Sequence, residues 1–110
     1  MIETQSLAGM TLLVTVSGPA DRNAARDVQR AILGGIDGGH VRAIVDLSEV
    51  ADVQPGLLGV LLRLRRRLLG MGGALSVLSP VPVGELFGVP AAEEILPRMT
   101  TLPPPTVPSA

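Results

Sequence analysis

The spacing of apolar positions along the chain alternates between a period near two and a period near 3.6. Residues 10–17, MTLLVTVS, form an apolar, β-branched run closed by Gly18-Pro19, which predicts a strand and then a break. The preceding IETQSL predicts a shorter edge strand, joined to it by a turn at Ala8-Gly9. From Asp21 the period changes. Ala24, Ala25, Val28, Ala31 and Ile32 recur at helical spacing, with Arg22, Arg26, Asp27 and Arg30 on the opposite face. The pattern predicts a helix over 22–33, with Asp21 as N-cap and the Gly34-Gly35 pair as its stop.

After the turn DGGH, residues 41–47, VRAIVDL, predict a buried strand whose end carries Asp46. A second helix is predicted from about Pro55 to Leu69, where Leu57, Leu61, Leu64 and Leu68 make one stripe and Leu58, Leu62 and Leu69 widen it. GMGG ends it, and ALSVLS at 74–79 predicts another buried strand. VPVGELFGV and AAEEILPRM are short helical candidates, each interrupted by Pro or Gly. The order β-β-α-β-α-β-α, with room for one more short helix, predicts an α/β domain with helices packed on a mixed or parallel sheet. The tail PPPTVPSA can form neither helix nor ladder, so the expected division is a domain over 1–102 and a flexible Pro-rich tail over 103–110.

Composition narrows the function classes. A chain of 110 residues has the size of one domain, and 46% hydrophobic content with a mean hydropathy of +0.45 is too apolar for a disordered chain. Phe87 is the lone aromatic residue, so the core must be aliphatic. A formal net charge of -1 gives no long-range attraction toward nucleic acid or an anionic membrane. The absence of cysteine removes thiolate chemistry, disulfides and cysteine-metal sites, and suits a reducing cytoplasm. MTLLVTV lacks a basic flank and a cleavage pattern, and GLLGVLLRLRRRLLG carries four arginines, so neither signal peptide nor membrane insertion is expected.

Candidate chemistry is sparse. His40, the only histidine, lies in a Gly-rich turn with no local partner for catalysis or zinc, and reads as a solvated turn residue. Asp46, Glu49 and Asp52 cluster at the end of the predicted third strand; one is expected to cap the following helix while the others are solvated. RLRRR at 63–67 reads as a solvated helix face, with a docking surface for an acidic protein left open. From Glu49 to Leu75 there is no serine, threonine, tyrosine, cysteine or histidine. The second helix therefore opens at Gln54-Pro55-Gly56 with no nucleophile and no phosphoacceptor near it. No enzyme activity and no cofactor are expected.

Several separated motifs, arriving in order, resemble the STAS domain, the anti-sigma factor antagonist family. AIVDLSEVADVQPGLLGVLLRLRRRLLGMGGALSVLSP is similar to that family's strand ending in Asp-Leu-Ser, its loop into Asp-Ser-Ser/Thr-Gly-Leu, and its helix ending in Gly-Gly before a buried strand. VTVSGPAD and LFGVPAAEEIL resemble flanking segments, so the resemblance covers about residues 1–102. It implies a small single-domain α/β fold, a mixed sheet of about four strands packed with three to four helices. It also implies a protein partner, often a serine-kinase-type anti-sigma factor, released when a hydroxyl residue at the start of the second helix is phosphorylated.

Asp21, Asp46, Leu47, Ser48, Val50, Leu58 and Gly59 match the family pattern; the switch does not. Gln54 stands where the acid precedes the phosphoacceptor, Pro55 where the hydroxyl belongs, and Gly56 follows. Pro at the first helical position is free of strain, because that N–H lacks a helical partner and φ is already set. The expectation is a cytoplasmic, non-phosphorylatable protein-binding module. Its partner-binding residues would be Asp21, Asp46, Ser48, Asp52, Gln54, Pro55, Gly56, Leu57, Leu58 and Gly59, with Pro55 at the degenerate phosphoacceptor position. The expected partner is an anti-sigma factor or kinase-type ATPase; nucleic acid is not expected, and a homodimer is left open. The alternatives are a STAS subunit of a lipid or anion transport complex, and a sensor with a small ligand between helix and sheet.

Overall fold

A computed structural model describes residues 1–50 and 53–102. Five strands form one sheet in the order β1 (Ile2–Leu7), β2 (Thr11–Ser17), β3 (Arg42–Glu49), β4 (Ala74–Leu78) and β5 (Arg98–Met99). β1 runs antiparallel to β2, and every other neighbouring pair is parallel. The parallel connections are made by α1 (Arg22–Asp37), α2 (Pro55–Gly70) and the short pair α3 (Val83–Phe87) and α4 (Ala92–Ile95).

Strand alternation decides which side chains meet the helices. Leu12, Val14 and Val16 of β2, Ala43, Val45 and Leu47 of β3, and Leu75 and Val77 of β4 lie in one buried cluster. The predicted stripes supply the opposing layer: Ala24, Ala25, Val28 and Ile32 from α1, and Leu57, Leu61, Leu64 and Leu68 from α2. The opposite face of the sheet carries a smaller cluster of Leu13, Ile44 and Leu78, with Leu7 and Met99 against it. A cavity of about 690 Å³ opens on that helix-free face, lined by Leu7, Leu13, Ile44, Met99 and Leu102 among others. The layer between the helices and the sheet is a packed aliphatic core.

Three expectations are corrected. The sheet has five strands rather than four, because Arg98–Met99 adds to β4 through Val77 N–H to Pro97 O (2.9 Å) and Ser79 N–H to Met99 O (3.1 Å). α1 does not stop at Gly34-Gly35 but runs to Asp37, closed by the Gly38 N–H on the carbonyls of Gly34 and Gly35 and by the Gly39 N–H on that of Ile36. Within the helix Gly35 sits close to the sheet, where a Cβ would lie 2.8 Å from Leu12 Cδ2, whereas a Cβ at Gly34 would meet open space.

His40 is also no plain solvated residue. Its half-buried ring bonds the Gly35 carbonyl through Nδ1 (3.0 Å) and Ser6 Oγ through Nε2 (2.7 Å), tying the end of α1 to the edge strand. With Nδ1 donating, the neutral ring accepts the Ser6 hydroxyl proton at Nε2. His40→Ala should therefore lower unfolding free energy by about 1–2 kcal/mol, the worth of two modest hydrogen bonds. Urea unfolding checks this; an unchanged midpoint would remove His40 as a tie between the two elements.

Candidate functional site

The predicted site gathers at the C-terminal ends of β2 and β3, where the chain crosses to the two long helices. Asp21 caps α1: its side chain accepts the Ala24 N–H at 3.0 Å. This cap alone accounts for an aspartate at the position, and Asp21→Ala should cost about 1 kcal/mol. Thermal melts test that value, and a neutral result would show the cap bond to be without weight.

The Gln54 N–H donates to the Ala20 carbonyl (3.1 Å), and Val53 pairs with Ala20 in a parallel bridge. These contacts hold the entry to α2 against the entry to α1. Asp21, Arg22, Gln54 and Gly56 consequently line one shallow concavity of about 420 Å³ between the two helix starts. Gln54 is the N-cap of α2 but makes no side-chain capping bond, and Pro55 occupies the first turn. Gln54, Pro55 and Gly56 are all exposed, and a Cβ on Gly56 would meet nothing within 4 Å. The edge thus presents an uncapped helix start with bare backbone.

The other residues divide. Leu57 and Leu58 are 1% and 9% exposed, so their side chains hold α2 on the core and are not available to a partner docking on the surface. Gly59 is half-buried. Asp46 lies on the helix-free side of the sheet, between Val45 and Leu47, which face the helices. Its carboxylate accepts from the Ser48 N–H (2.9 Å) and, closely, from the Ser48 hydroxyl. Asp46 and Ser48 therefore close the end of β3 on themselves, and of the three acids from which one cap was expected, neither Asp46 nor Glu49 caps α2. Asp52 lies outside the described residues. Among the described residues no group of three His, Cys, Asp or Glu could hold a metal ion.

A second concavity, about 530 Å³, adjoins Ser48, Val50 and Val53 and is walled by residues the sequence reading passed over. These are Ser79, Pro80 and Val81 after β4, and Glu85, Leu86, Phe87 and Gly88 of α3 and its cap. Ser79 is buried and makes a local turn, its Oγ donating to the Val81 carbonyl (2.9 Å) and accepting the Val81 N–H (3.2 Å). The available signal was positional: in parallel sheets the loops after successive strands converge at one end, so the end of ALSVLS belongs beside the end of VRAIVDL.

The arrangement is an exposed backbone edge flanked by two shallow hollows, at the end of a sheet that α1 and α2 cover on one side. Residues 3–92 match the family described as "Mlab, STAS domain". The chain belongs to the STAS domain family. In structure this STAS domain is similar to the anti-sigma factor antagonist SpoIIAA in its unphosphorylated form, with a TM-score of 0.75, 19% identity, and coverage of 91% of this chain and 89% of that one. It is similar also to an anti-sigma factor antagonist from Mycobacterium paratuberculosis, at TM-score 0.77 and 21% identity, covering 93% of this chain and 86% of the other. The phosphorylated form of SpoIIAA from Bacillus aligns at TM-score 0.71 and 18% identity, covering 91% of this chain and 92% of that one. A comparison with curated protein sequences found no match. At these identities the likeness establishes a shared STAS fold. No helix among the described residues is long and apolar enough to cross a membrane.

Proposed function

We propose that this STAS domain is a non-catalytic regulatory module that binds a protein partner at the exposed start of α2, and that the contact has no phosphorylation switch there. The observation that carries the reading is the Gln54–Gly56 segment. It is exposed, tied in place through Ala20, and holds an imino acid at the first helical turn where a hydroxyl would be needed. The fold shared with anti-sigma factor antagonists supports a partner of the anti-sigma factor or kinase-type ATPase class. Gly56 lets a partner backbone approach without meeting a side chain.

In the same reading the domain ends near residue 102, the Pro-rich segment 103–110 plays no part in binding, and the module works in the cytoplasm. The remaining candidates have graded roles. Gln54, Pro55 and Gly56 touch the partner, Ser48 borders the contact, and Asp21 and Asp46 shape the loops from behind.

The test is a pair of substitutions. Gly56→Val fills open space and should leave the melting temperature within a few degrees, while weakening partner binding by roughly tenfold or more through steric exclusion at a central contact. Arg66→Glu, on the outer face of α2, should leave partner affinity within roughly threefold, as expected outside an interface centre. Titration calorimetry against the cognate kinase-type anti-sigma factor reads both. A larger loss from Arg66→Glu would move the docking site to the outer helix face. Capture of a transport ATPase in place of such a regulator would replace this partner class with the transport-complex alternative.

A further inference from the structure

The end of the molecule away from α2's start carries a different surface. α2 has 16 residues, so its last turn lies roughly 24 Å from its first at 1.5 Å per residue. There Leu69 and Met71 are 46% and 43% exposed, and Met10, in the turn between β1 and β2, is 59% exposed. Met10 belongs to the same end: its carbonyl accepts the N–H groups of Val41 (3.0 Å) and Arg42 (3.3 Å), and Val41 in turn pairs with Ala74, just after α2 closes.

Arginines rim these apolar tips. Arg66 stands three residues before Leu69, which places that pair on one helix face, and Arg67 lies in the last turn before Met71, the residue that caps α2. Arg42 is exposed at the start of β3, and α2 contains four arginines and no carboxylate. The opposing charge at this end is Asp37, the last residue of α1. The helix C-termini do not present bare carbonyls, because the N–H groups of Gly38, Met71, Gly72 and Gly73 close them.

Met10 adds an independent sign. At φ 58 it is the one non-glycine residue with positive φ among the described residues. Glycine or asparagine would sit there without steric strain, yet the chain holds a long apolar side chain outward at a turn tip. None of the three concavities described above is lined by Met10, Leu69 or Met71. Exposed apolar tips among arginines suit a fluid lipid surface better than a structured acidic protein, which would require complementary shape.

We propose that this end adsorbs peripherally to anionic lipid headgroups. Leu69, Met71 and Met10 enter the acyl boundary while Arg42, Arg66 and Arg67 meet the lipid phosphates. The chain's net charge of -1 is compatible with this, because headgroup contacts act within a Debye length of about 8–10 Å rather than through the whole-molecule field. The partner edge at the opposite end would stay free.

Sedimentation of the full chain with vesicles tests the proposal, using phosphatidylcholine alone and phosphatidylcholine with one-quarter phosphatidylglycerol. Binding is expected to the anionic vesicles only, weakening as salt rises. Arg66→Ala and Arg67→Ala should each reduce it roughly fivefold, the factor for one basic residue near such a surface. Leu69→Ser with Met71→Ser should abolish sedimentation while circular dichroism and partner affinity stay unchanged, which separates this surface from the docking edge. Equal binding to neutral vesicles, retention by the serine variant, no sedimentation at low salt, or capture by polyglutamate but not by vesicles would each overturn the proposal.

Discussion

Gly73→Ala should lower the unfolding free energy by about 3 kcal/mol or more, at the upper end of what overpacking does in a closed core. A Cβ at Gly73 would stand 1.6 Å from the Val41 carbonyl oxygen and 2.6 Å from its carbon, and both are backbone atoms that no rotamer change can move aside. Relief requires β3 and β4 to part where Ala74 N–H meets Val41 O (3.1 Å), or α2's closing bond from Gly73 N–H to Leu68 O (2.9 Å) to break. For a domain of this size the loss corresponds to a fall in melting temperature on the order of 15 °C. Gly34→Ala gives the opposite sign: the position is helical and open, so it should gain about 0.5–1 kcal/mol. Calorimetric melts of the two variants decide. A Gly73→Ala protein that melts with the wild type would contradict the close strand approach at the end of α2.

A second large effect is expected from rebuilding the missing switch. Gln54→Asp with Pro55→Ser restores an acid followed by a hydroxyl at the exposed start of α2. Incubation with ATP and a STAS-directed serine kinase should then add one phosphate to the variant and none to wild-type residues 49–75, which contain no hydroxyl. The helix start stabilises that phosphate through unpaired N–H groups and the macrodipole, so modification should leave the fold intact. About two added negative charges should expel a partner that docks on this edge when it is neutral, with an affinity loss of roughly a hundredfold, the size of a strongly unfavourable buried charge. Intact-mass spectrometry and titration together read the outcome. Wild-type phosphorylation at Ser48 or Ser76 that releases the partner would end the idea of a constitutive binder.

Local pattern was enough for the long elements. The leucine stripe of α2 buries one face of a helix, and the apolar, β-branched run MTLLVTVS suits a strand buried on both faces, so both elements are recognisable from their own residues. Apart from Asp46, which bonds Ser48 two residues on, the failures involve contacts distant in sequence. β5 exists because Pro97 and Met99 bond to Val77 and Ser79, and a two-residue strand has no period to read. Gly34-Gly35 resembles a helix stop, but Gly35 packs closely on Leu12 inside the helix, and a close-contact glycine looks like a breaker in one dimension. His40 finds Ser6 across 34 positions. At the candidate site, the opening of α2 at Gln54-Pro55 was legible from residue types, while its reading as a docking edge rests on the family resemblance. Leu57 and Leu58 belonged to the core by their helical spacing, and the Ser79–Val81 wall required knowing that β4 lies beside β3.

The central claim is the location of the partner contact, and amide hydrogen exchange of the complex against the free chain tests it most directly. The account predicts slowed exchange at Ser48, Glu49 and Val50 and at Gln54, Gly56 and Leu57, with Arg66 to Gly72 unchanged. Protection confined to Arg66–Gly72, or to the helix-free face around Leu13 and Ile44, would contradict it.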